Sequence, residues 1–286
     1  MNHLNQILRK ESNNSSRIIR DFKLDLKANR ITLRKKSYDE MERIQYKPGK
    51  CAIFIGICGG QASGKKKISQ YFNSHISHSE TICEMSFFNP GDKERKFSKE
   101  EEYLVKDYDF YSKERRLYLI DLCNPNSYDY DKFYETLKNL NEGKKVKIPY
   151  FDENECKFNH EKDKIIDPTE TPLIIIDGYF IYKNKKIRDF LDLKIYKEVE
   201  DDVRLSRLII REEKYLKNNY DAYEIYFGIY ERFYKTSYEE YISTYKKNAN
   251  IFLPDYNVKE NDQVEGDESL EFLTYNLNNL SKRNKF

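Results

Sequence analysis

The strongest pattern in the chain is a pair of compact apolar runs, at 51–57 and 173–177. Such runs are typical of strands that are buried on both faces of a parallel sheet. Shorter apolar segments predict four further strands, at 81–85, 145–151, 193–198 and 251–253. Apolar side chains alternate with other residues within 145–151, so we expect that strand to have one exposed face.

Segments with helical spacing follow several of these strands. Apolar or aromatic residues at Ile68, Tyr71, Phe72 and Ile76 predict a helix over 66–79. The same reasoning predicts further helices at 129–141, 202–217, 222–247 and 270–280. Because strands alternate with helices, we expect an α/β fold whose parallel sheet of about five strands is covered by helices on both faces.

Two parts of the chain lack a regular pattern. Residues 1–50 are polar, and we interpret them as an N-terminal extension. Residues 89–120 are charged and aromatic without a clear period, and we interpret them as a segment inserted into a domain that covers 51–286. The tyrosine-rich stretch at 223–245 has helical spacing, which favours a place in the core over base stacking with a nucleic acid.

The charge of the chain is small overall and uneven along it. The 286 residues carry a net charge of +2. Residues 1–50 hold 13 Lys/Arg against 6 Asp/Glu, a net of +7, and the remainder holds 38 against 43, a net of −5. The basic excess therefore lies in the extension, where a solvated tail is the simplest interpretation and contact with RNA or an anionic membrane is the alternative. We expect no nucleic-acid partner.

The spacing of the cysteines and the length of the apolar runs indicate the cellular compartment of the protein. The five cysteines form no C-x-x-C pair, and they are Cys51, Cys58, Cys83, Cys123 and Cys156. We therefore expect a reducing, cytoplasmic location and no structural zinc, with organelle targeting by the basic N-terminal segment as the alternative. The apolar runs are too short to cross a membrane, so we expect no transmembrane segment.

A glycine-rich loop follows the first predicted strand and precedes the first predicted helix. It reads Gly59, Gly60, Gln61, Ala62, Ser63, Gly64, Lys65. Glycines allow successive N–H groups to surround phosphate oxygens, the helix N-terminus adds positive potential, and the lysine reaches the terminal phosphates. The alternative is a strand-to-helix turn without a ligand. The flanking strand and helix favour a nucleotide phosphate site.

The residue after this loop departs from the phosphate-binding motif. That position normally carries Ser or Thr, whose hydroxyl binds Mg²⁺. Here it is Lys66, followed by Lys67. A charged lysine donates hydrogen bonds and cannot bind a metal ion. Both lysines can neutralise phosphate charge, so we assign them to the nucleotide site and regard Mg²⁺ as a doubtful cofactor.

From about residue 51 to residue 280 the chain resembles the uridine–cytidine kinases of the uridine kinase/phosphoribulokinase type. The loop at 59–65 matches that family's Gly-Gly-x-Ala-Ser-Gly-Lys. Further blocks follow in the family's order, and they are Ser86-Phe87-Phe88, Asn124-Pro125-Asn126-Ser127-Tyr128-Asp129, the segment 143–152, Ile175-Ile176-Asp177-Gly178 and Asp202-Val203-Arg204-Leu205-Ser206-Arg207.

The resemblance implies a fold, a reaction and roles for particular residues. The fold is a P-loop domain with a small β-hairpin lid and a helical lid, and some family members are tetramers. The reaction is transfer of the ATP γ-phosphoryl group to the 5′-hydroxyl of uridine or cytidine. The implied roles are phosphate binding by Lys65, help with Mg²⁺ by Asp177, a lid cation at Arg211 and base stacking by Phe151.

Other functional positions of the family carry different residues here. The general base that takes the 5′-hydroxyl proton aligns with Met85, and the acid that binds the ribose aligns with Cys123. A histidine that recognises the base aligns with Cys156, and a lid arginine aligns with Lys217. Glu84 reaches the position of the base if the chain has a one-residue bulge there; the alternative is a surface glutamate at a strand end.

Further departures lie in the hairpin and the helical lid. An aromatic position aligns with Glu153, two lid arginines align with Leu208 and Tyr215, and a glutamine aligns with Ile229. We therefore expect a uridine/cytidine kinase-like phosphotransferase whose activity is weakened or lost. The alternative is an inactive nucleotide-binding pseudoenzyme that acts through protein partners. ATP is the expected cofactor, a pyrimidine nucleoside the expected substrate, and a homo-oligomer is compatible with the family.

Overall fold

A five-stranded, fully parallel sheet runs through the centre of the protein. The computed structural model describes residues 50–89, 113–217, 220–255 and 268–283. The strands in these residues are β1 Ile53–Gly59, β2 Ser79–Cys83, β3 Val146–Ile148, β4 Phe151–Asp152, β5 Lys157–Phe158, β6 Lys164–Ile166, β7 Leu173–Gly178, β8 Leu193–Lys197 and β9 Ile251–Leu253. The sheet has the order β2-β7-β1-β8-β9. This arrangement confirms the predicted α/β fold.

Helices cover both faces of the sheet. In the described residues they are α1 Lys65–His75, α2 Lys113–Asp121, α3 Tyr130–Asn141, α4 Lys185–Phe190, α5 Asp201–Arg211, α6 Glu213–Leu216, α7 Tyr220–Ile229 and α8 Glu268–Arg283. On one face, α1 and α8 enclose a core of aliphatic side chains from the strands. On the other face, α3 and the helices after β8 enclose a larger core that is rich in aromatic residues.

The central strands β1 and β7 are buried along their whole length. They pair in register from Ile53 with Leu173 to Cys58 with Gly178. β2 pairs with the outer side of β7, from Ser79 with Leu173 to Cys83 with Asp177. The carboxyl ends of β1, β2 and β7 therefore meet at one edge of the sheet, where parallel α/β folds place their ligand sites.

Two small antiparallel pairs form a lid near this edge. β3 pairs with β6, and β4 pairs with β5. The sequence predicted one strand over 145–151, but two short strands occupy this segment, separated by Pro149 and Tyr150. The structure therefore contains the expected β-hairpin lid in two parts.

Several boundaries differ from the sequence prediction. The second strand ends at Cys83, and a 3₁₀ turn, Glu84–Phe87, replaces its predicted end. The helix predicted over 202–217 is interrupted at Glu212, and that predicted over 222–247 continues from α7 as two π-helical segments, Tyr230–Lys235 and Tyr238–Ser243. π-Helical turns are rare and are frequently found at functional sites.

Two helices were missed by the sequence prediction. α4 is short and begins with Asn184, whose side chain accepts a hydrogen bond from the Ile187 N–H. α2 lies within the segment interpreted as an irregular insertion. The remainder of that segment, 90–112, and the extension at 1–49 lie outside the described residues. No helix in the described residues is long and apolar enough to cross a membrane.

Candidate functional site

The glycine-rich loop joins the buried end of β1 to the N-terminus of α1. Ala62 and Gly64 adopt left-handed conformations, with φ of 56° and 85°. A Cβ atom at Gly60 would lie 2.6 Å from Nη1 of Arg204 and 3.0 Å from the Tyr238 ring, so a larger residue there would have to displace the Arg204 side chain. No side chain caps α1, and its first turn contains no acidic residue. The backbone N–H groups of this turn are therefore suited to an anion.

The loop lysine is buried and covered by an aromatic ring. Lys65 is 6% exposed, and its ammonium group donates a hydrogen bond to the carbonyl oxygen of Gly60 at 3.3 Å. The same nitrogen lies 3.3 Å from the centre of the Tyr179 ring. Burial lowers the pKa of Lys65 to about 8, against the attraction of Asp177. The lysine therefore stays mostly charged at neutral pH and is stabilised by a cation–π contact.

The lysine that replaces the metal-binding hydroxyl pairs with the hairpin lid. Nζ of Lys66 lies 2.8 Å from a carboxylate oxygen of Glu153. Burial lowers the pKa of Lys66, but Glu153 outweighs this effect and raises it above its ordinary value. Burial likewise raises the pKa of Glu153, and Lys66 reverses the shift. Both groups are thus charged at neutral pH, and the pair starts from the sequence position that normally carries the metal-binding hydroxyl.

Asp177 lies at the end of β7 and is 3% exposed. Its Oδ2 accepts a hydrogen bond from the Ser69 hydroxyl at 2.8 Å, and burial raises its pKa. Mg²⁺ requires several oxygen ligands in near-octahedral geometry. The described residues contain no cluster of three or more potential metal-binding side chains. Lys66 cannot bind a metal ion while charged, so Asp177 would have to hold Mg²⁺ together with oxygens from phosphate and water.

Glu84, the candidate replacement for the missing base, is fully buried. Its Oε2 accepts hydrogen bonds from the backbone N–H groups of Tyr179, at 2.6 Å, and Phe180, at 3.0 Å. Its Oε1 accepts a hydrogen bond from the Tyr130 hydroxyl at 3.2 Å. Burial raises its pKa to about 7, against these hydrogen bonds. The carboxylate thus fixes the turn after β7, and the alternative of a surface glutamate is wrong because the side chain is fully buried.

Met85 faces an open cleft beside Glu84. The cleft has a volume of about 220 Å³ and lies between the start of α1, the ends of β2 and β7, and the hairpin lid. Its polar lining includes Lys66, Ser69, Asp177, Glu153, Lys162 and Lys164, and its apolar lining includes Met85, Ile148, Pro149 and Phe151. Glu84 is not among the residues that line it.

Phe151, the candidate for base stacking, is packed among aromatic rings. Its ring lies 5.8 Å from that of Tyr118 in a stacked arrangement, and 5.1 Å and 5.2 Å from those of Phe88 and Phe158. The side chain is 8% exposed. Tyr118 of α2 therefore packs against Phe151, which also lines the open cleft. The sequence pattern did not mark Tyr118 as a site residue, because α2 has no clear hydrophobic period.

Cys123 and Cys156, at two family substrate positions, make sulfur contacts with polar side chains. The Nε2 group of Gln61 donates to Sγ of Cys123 at 3.8 Å, so this candidate lies against the phosphate loop. Cys156 adopts a φ of 52°, and its Sγ lies 3.6 Å from Nη1 of Arg115. Neither thiol replaces the chemistry of the acid or the histidine expected there.

Arg115 connects the two lids, and no signal in the sequence marked it. Its Nη1 donates to the carbonyl oxygen of Glu153 at 2.8 Å, and its Nη2 donates to both carboxylate oxygens of Glu212 at 3.0 and 3.2 Å. Glu212 is fully buried where α5 ends. The β-hairpin lid and the helical lid are therefore tied together by one guanidinium group.

The remaining candidates divide between the site and its surroundings. Arg211 lies at the end of α5, and its Nε is 3.4 Å from Glu212. Burial raises the pKa values of Tyr179, Cys123 and Tyr118, and the charge of Arg211 opposes this shift. Lys217, after α6, and Lys67 are exposed. The structure thus groups Lys65, Lys66, Asp177, Gln61, Cys123 and Arg211 around the loop.

Comparisons with known proteins agree with this arrangement. The model of the phosphoribulokinase/uridine kinase family matches residues 54–262. Uridine-cytidine kinase B of Dictyostelium discoideum is 25% identical over 217 residues, which cover 75% of this chain and 79% of that relative. Uridine kinase of Staphylococcus aureus (strain JH9) is 28% identical over 207 residues, which cover 72% and 89%.

A solved structure shows the same fold. It is that of a Silicibacter sp. TM1040 protein described as a candidate fructose transport system kinase. Its TM-score is 0.50, its sequence identity is 18%, and the match covers 78% of this chain and 98% of that one. At this identity the similarity concerns the fold alone.

Proposed function

Since the chain belongs to the phosphoribulokinase/uridine kinase family, we propose that it binds the phosphates of ATP without magnesium-dependent phosphoryl transfer to a nucleoside. The observation that carries this proposal is the 2.8 Å ion pair of Lys66 with Glu153, at the position where the motif requires a metal-binding hydroxyl. In this role the protein is a pseudoenzyme that acts through protein partners.

The residues that would activate a nucleoside as phosphate acceptor are missing, which supports the same proposal. Met85 cannot remove a proton from a 5′-hydroxyl, and loss of a general base costs about 10²–10⁴-fold in rate. Glu84 does not compensate, because its two oxygens already accept three hydrogen bonds away from the cleft. Phe151, at the position that stacks on the base in the family, is already in contact with the rings of Tyr118 and Phe88.

Phosphate binding is supported by the loop itself. The first turn of α1 has no capping side chain, Lys65 is mostly charged at neutral pH, and Lys66 adds a second ammonium group. The Tyr179 ring lies over Lys65, so a triphosphate must displace this ring to reach the ammonium group. We therefore expect binding in the millimolar to high micromolar range, without help from Mg²⁺.

A kinase that acts on a different small acceptor is the second candidate. The open cleft beside Asp177 favours it, because lysines and an apolar wall at this edge of the sheet could hold a compound other than a nucleoside. This function requires a route to phosphoryl transfer that does not use the usual magnesium ligand. Uridine and cytidine remain the first compounds to test, because they are the substrates named for the curated relatives.

The decisive experiment compares the natural chain with a Lys66→Thr/Met85→Asp variant. Both proteins are incubated with ATP, Mg²⁺ and a panel of nucleosides, and ADP release is measured. We expect no nucleoside-dependent turnover by the natural chain and a low activity in the variant. Turnover of uridine or cytidine by the natural chain would contradict the proposal. Thermal shift with ATP tests binding separately, and no shift at millimolar ATP would contradict a working phosphate loop.

A further inference from the structure

Gly60 of the phosphate loop lies directly against a buried arginine from the first part of α5. A Cβ atom on Gly60 would lie 2.6 Å from Nη1 and 3.0 Å from Cζ of Arg204. Gly60 is not among the residues with a positive φ, so its backbone conformation is one that any residue can adopt. The size of the residue at this position is therefore limited by the guanidinium group that packs on it.

The Arg204 guanidinium group is held by two further contacts. Its Cζ lies 3.7 Å from the centre of the Tyr238 ring, and its Nη2 donates to Oδ1 of Asp201 at 2.5 Å. The Tyr238 hydroxyl in turn accepts a hydrogen bond from the Tyr196 hydroxyl of β8 at 3.3 Å. The guanidinium group is therefore fixed between the phosphate loop and the second π-helical segment, Tyr238–Ser243.

The stability of the fold does not account for an arginine at this position. Arg204 is 3% exposed, and its Nε has no hydrogen-bond partner among the described residues. Burial of a charged pair is costly, and its replacement by apolar side chains is often neutral or stabilising. Asp201 is 53% exposed, so water would solvate its carboxylate if Arg204 were removed. The contact with the loop is therefore the better explanation for the buried guanidinium group.

Gly60 connects this contact to the groups that would bind phosphate. Its carbonyl oxygen accepts a hydrogen bond from the Ser63 N–H at 3.2 Å, which closes the turn of the loop. The same oxygen accepts a hydrogen bond from Nζ of Lys65 at 3.3 Å. A displacement of Gly60 would therefore change both the shape of the turn and the position of the loop lysine.

We propose that Arg204 is a positioning residue of the phosphate loop: its guanidinium group, held by Asp201 and the Tyr238 ring, fixes Gly60 and thereby the position of Lys65. In this role Arg204 acts through Gly60 and not on a ligand. The second π-helical segment supplies the ring that keeps the guanidinium group in place. The effect of Arg204 on ATP affinity rests on the proposed function, whereas its effect on the loop without nucleotide does not.

The first test measures hydrogen exchange of the Ser63 amide by NMR, in the full chain without nucleotide. We expect Arg204→Met to speed this exchange at least about tenfold relative to the amides of β1, because the bond to Gly60 opens more often. Arg188 donates to the backbone carbonyl oxygen of Tyr182, and Arg188→Met should leave Ser63 exchange unchanged. Unchanged Ser63 exchange in Arg204→Met, or equal acceleration of the β1 amides, would overturn the proposal.

A pair of substitutions tests whether Arg204 acts through Gly60. In Gly60→Ala the new methyl group displaces the guanidinium group, so Ser63 exchange should accelerate as it does in Arg204→Ala. Arg204→Ala leaves room for that methyl group, so Gly60→Ala/Arg204→Ala should exchange no faster than Arg204→Ala alone. Residues that act through one contact show such non-additive effects. If the effects of the two substitutions add, Gly60 does not transmit the action of Arg204 and the proposal is wrong.

Calorimetric titration with ATP separates position from charge. We expect Arg204→Met to lower ATP affinity at least about tenfold, because displaced binding groups lose much of their effect. Arg204→Lys keeps the charge without the planar stacking group and should lose a similar factor, whereas Arg188→Met should bind as the natural chain does. Natural affinity in Arg204→Lys would assign the effect to charge and overturn the proposal. Failure of the natural chain to bind ATP would reject the proposed function, and Ser63 exchange would then decide the positioning role alone.

Discussion

The Lys66 ammonium lies 2.8 Å from the carboxylate of Glu153, a residue 87 positions away. The pair joins the first turn of α1 to the β-hairpin lid, and Lys66 stands at the sequence position that carries the metal-binding hydroxyl in the phosphate-binding motif. An exposed ion pair of this kind contributes little to stability. Its importance for the proposed function is that a cation stands at the motif position that normally carries a metal-binding hydroxyl.

This pair predicts how ATP affinity depends on magnesium. We expect EDTA to change the ATP affinity of the natural chain by less than about twofold, because Lys66 neutralises the phosphates in place of the metal. A Lys66→Thr/Glu153→Gln variant should bind ATP at least about tenfold more tightly with Mg²⁺ than without it. Calorimetry in both buffers measures this, and Lys185→Thr, at an exposed lysine of α4, is the control. A natural chain that requires Mg²⁺ for ATP binding would contradict the prediction.

The Tyr179 ring over Lys65 predicts a competition between the ring and phosphate. A desolvated cation–π contact contributes about 2 kcal/mol, so its removal should favour phosphate binding by Lys65. We expect Tyr179→Ala to raise ATP affinity several-fold and Tyr179→Phe, which keeps the ring, to leave it nearly unchanged. Because the ring is buried, Tyr179→Ala also lowers stability, and ATP binding should be measured well below its melting temperature. Equal ATP affinities in the two variants would argue against the competition.

Glu84 predicts a specific dependence of stability on pH. Its pKa is about 7 in the folded protein and 4.5 without the fold. A carboxyl group with a raised pKa stabilises the folded state below pH 4.5, and this contribution is lost as the pH rises through 7. We therefore expect Glu84→Gln to gain about 3 kcal/mol in unfolding free energy relative to the natural chain between pH 4.5 and 8.

Urea denaturation at a series of pH values measures this difference. Tyr130→Phe is the control, because it removes one hydrogen bond to Glu84 and leaves the carboxyl group in place. The control should keep the pH dependence of the natural chain. A constant difference between Glu84→Gln and the natural chain across the pH range would show that Glu84 does not titrate in this window.

The Arg115–Glu212 pair predicts a large loss of stability when one partner is removed. Glu212 is fully buried, and Arg115→Met leaves its carboxylate without the bidentate donor. Loss of one partner of a buried pair costs about 3–5 kcal/mol, and the partly exposed Arg115 places this case near 3 kcal/mol. An Arg115→Met/Glu212→Gln variant should recover much of the loss in urea denaturation.

The exposed pair of Lys185 with Asp189 provides the control for this experiment. Lys185→Met should leave the unfolding free energy almost unchanged, because solvent screens that pair. If Arg115→Met is as stable as Lys185→Met, the guanidinium group does not hold the two lids together.

The sequence alone determined the parts of this protein that depend on local patterns. The apolar runs of β1 and β7 predicted buried parallel strands, because a strand covered on both faces needs apolar side chains at every position. The loop at 59–65 was recognisable because its function depends on consecutive backbone groups. Lys66 and Met85 could be identified as departures from the family's motifs, because each occupies a fixed position in one of them.

Only the tertiary structure decided what those departures mean. The partner of Lys66 is Glu153, the ring over Lys65 belongs to Tyr179, and the carboxylate of Glu84 bonds the backbone after β7. Each contact joins residues that are 87 to 114 positions apart, and no local pattern encodes such a pairing. Strand order brings these residues to one edge of the sheet, and packing and burial there determine which charges pair and which groups are covered.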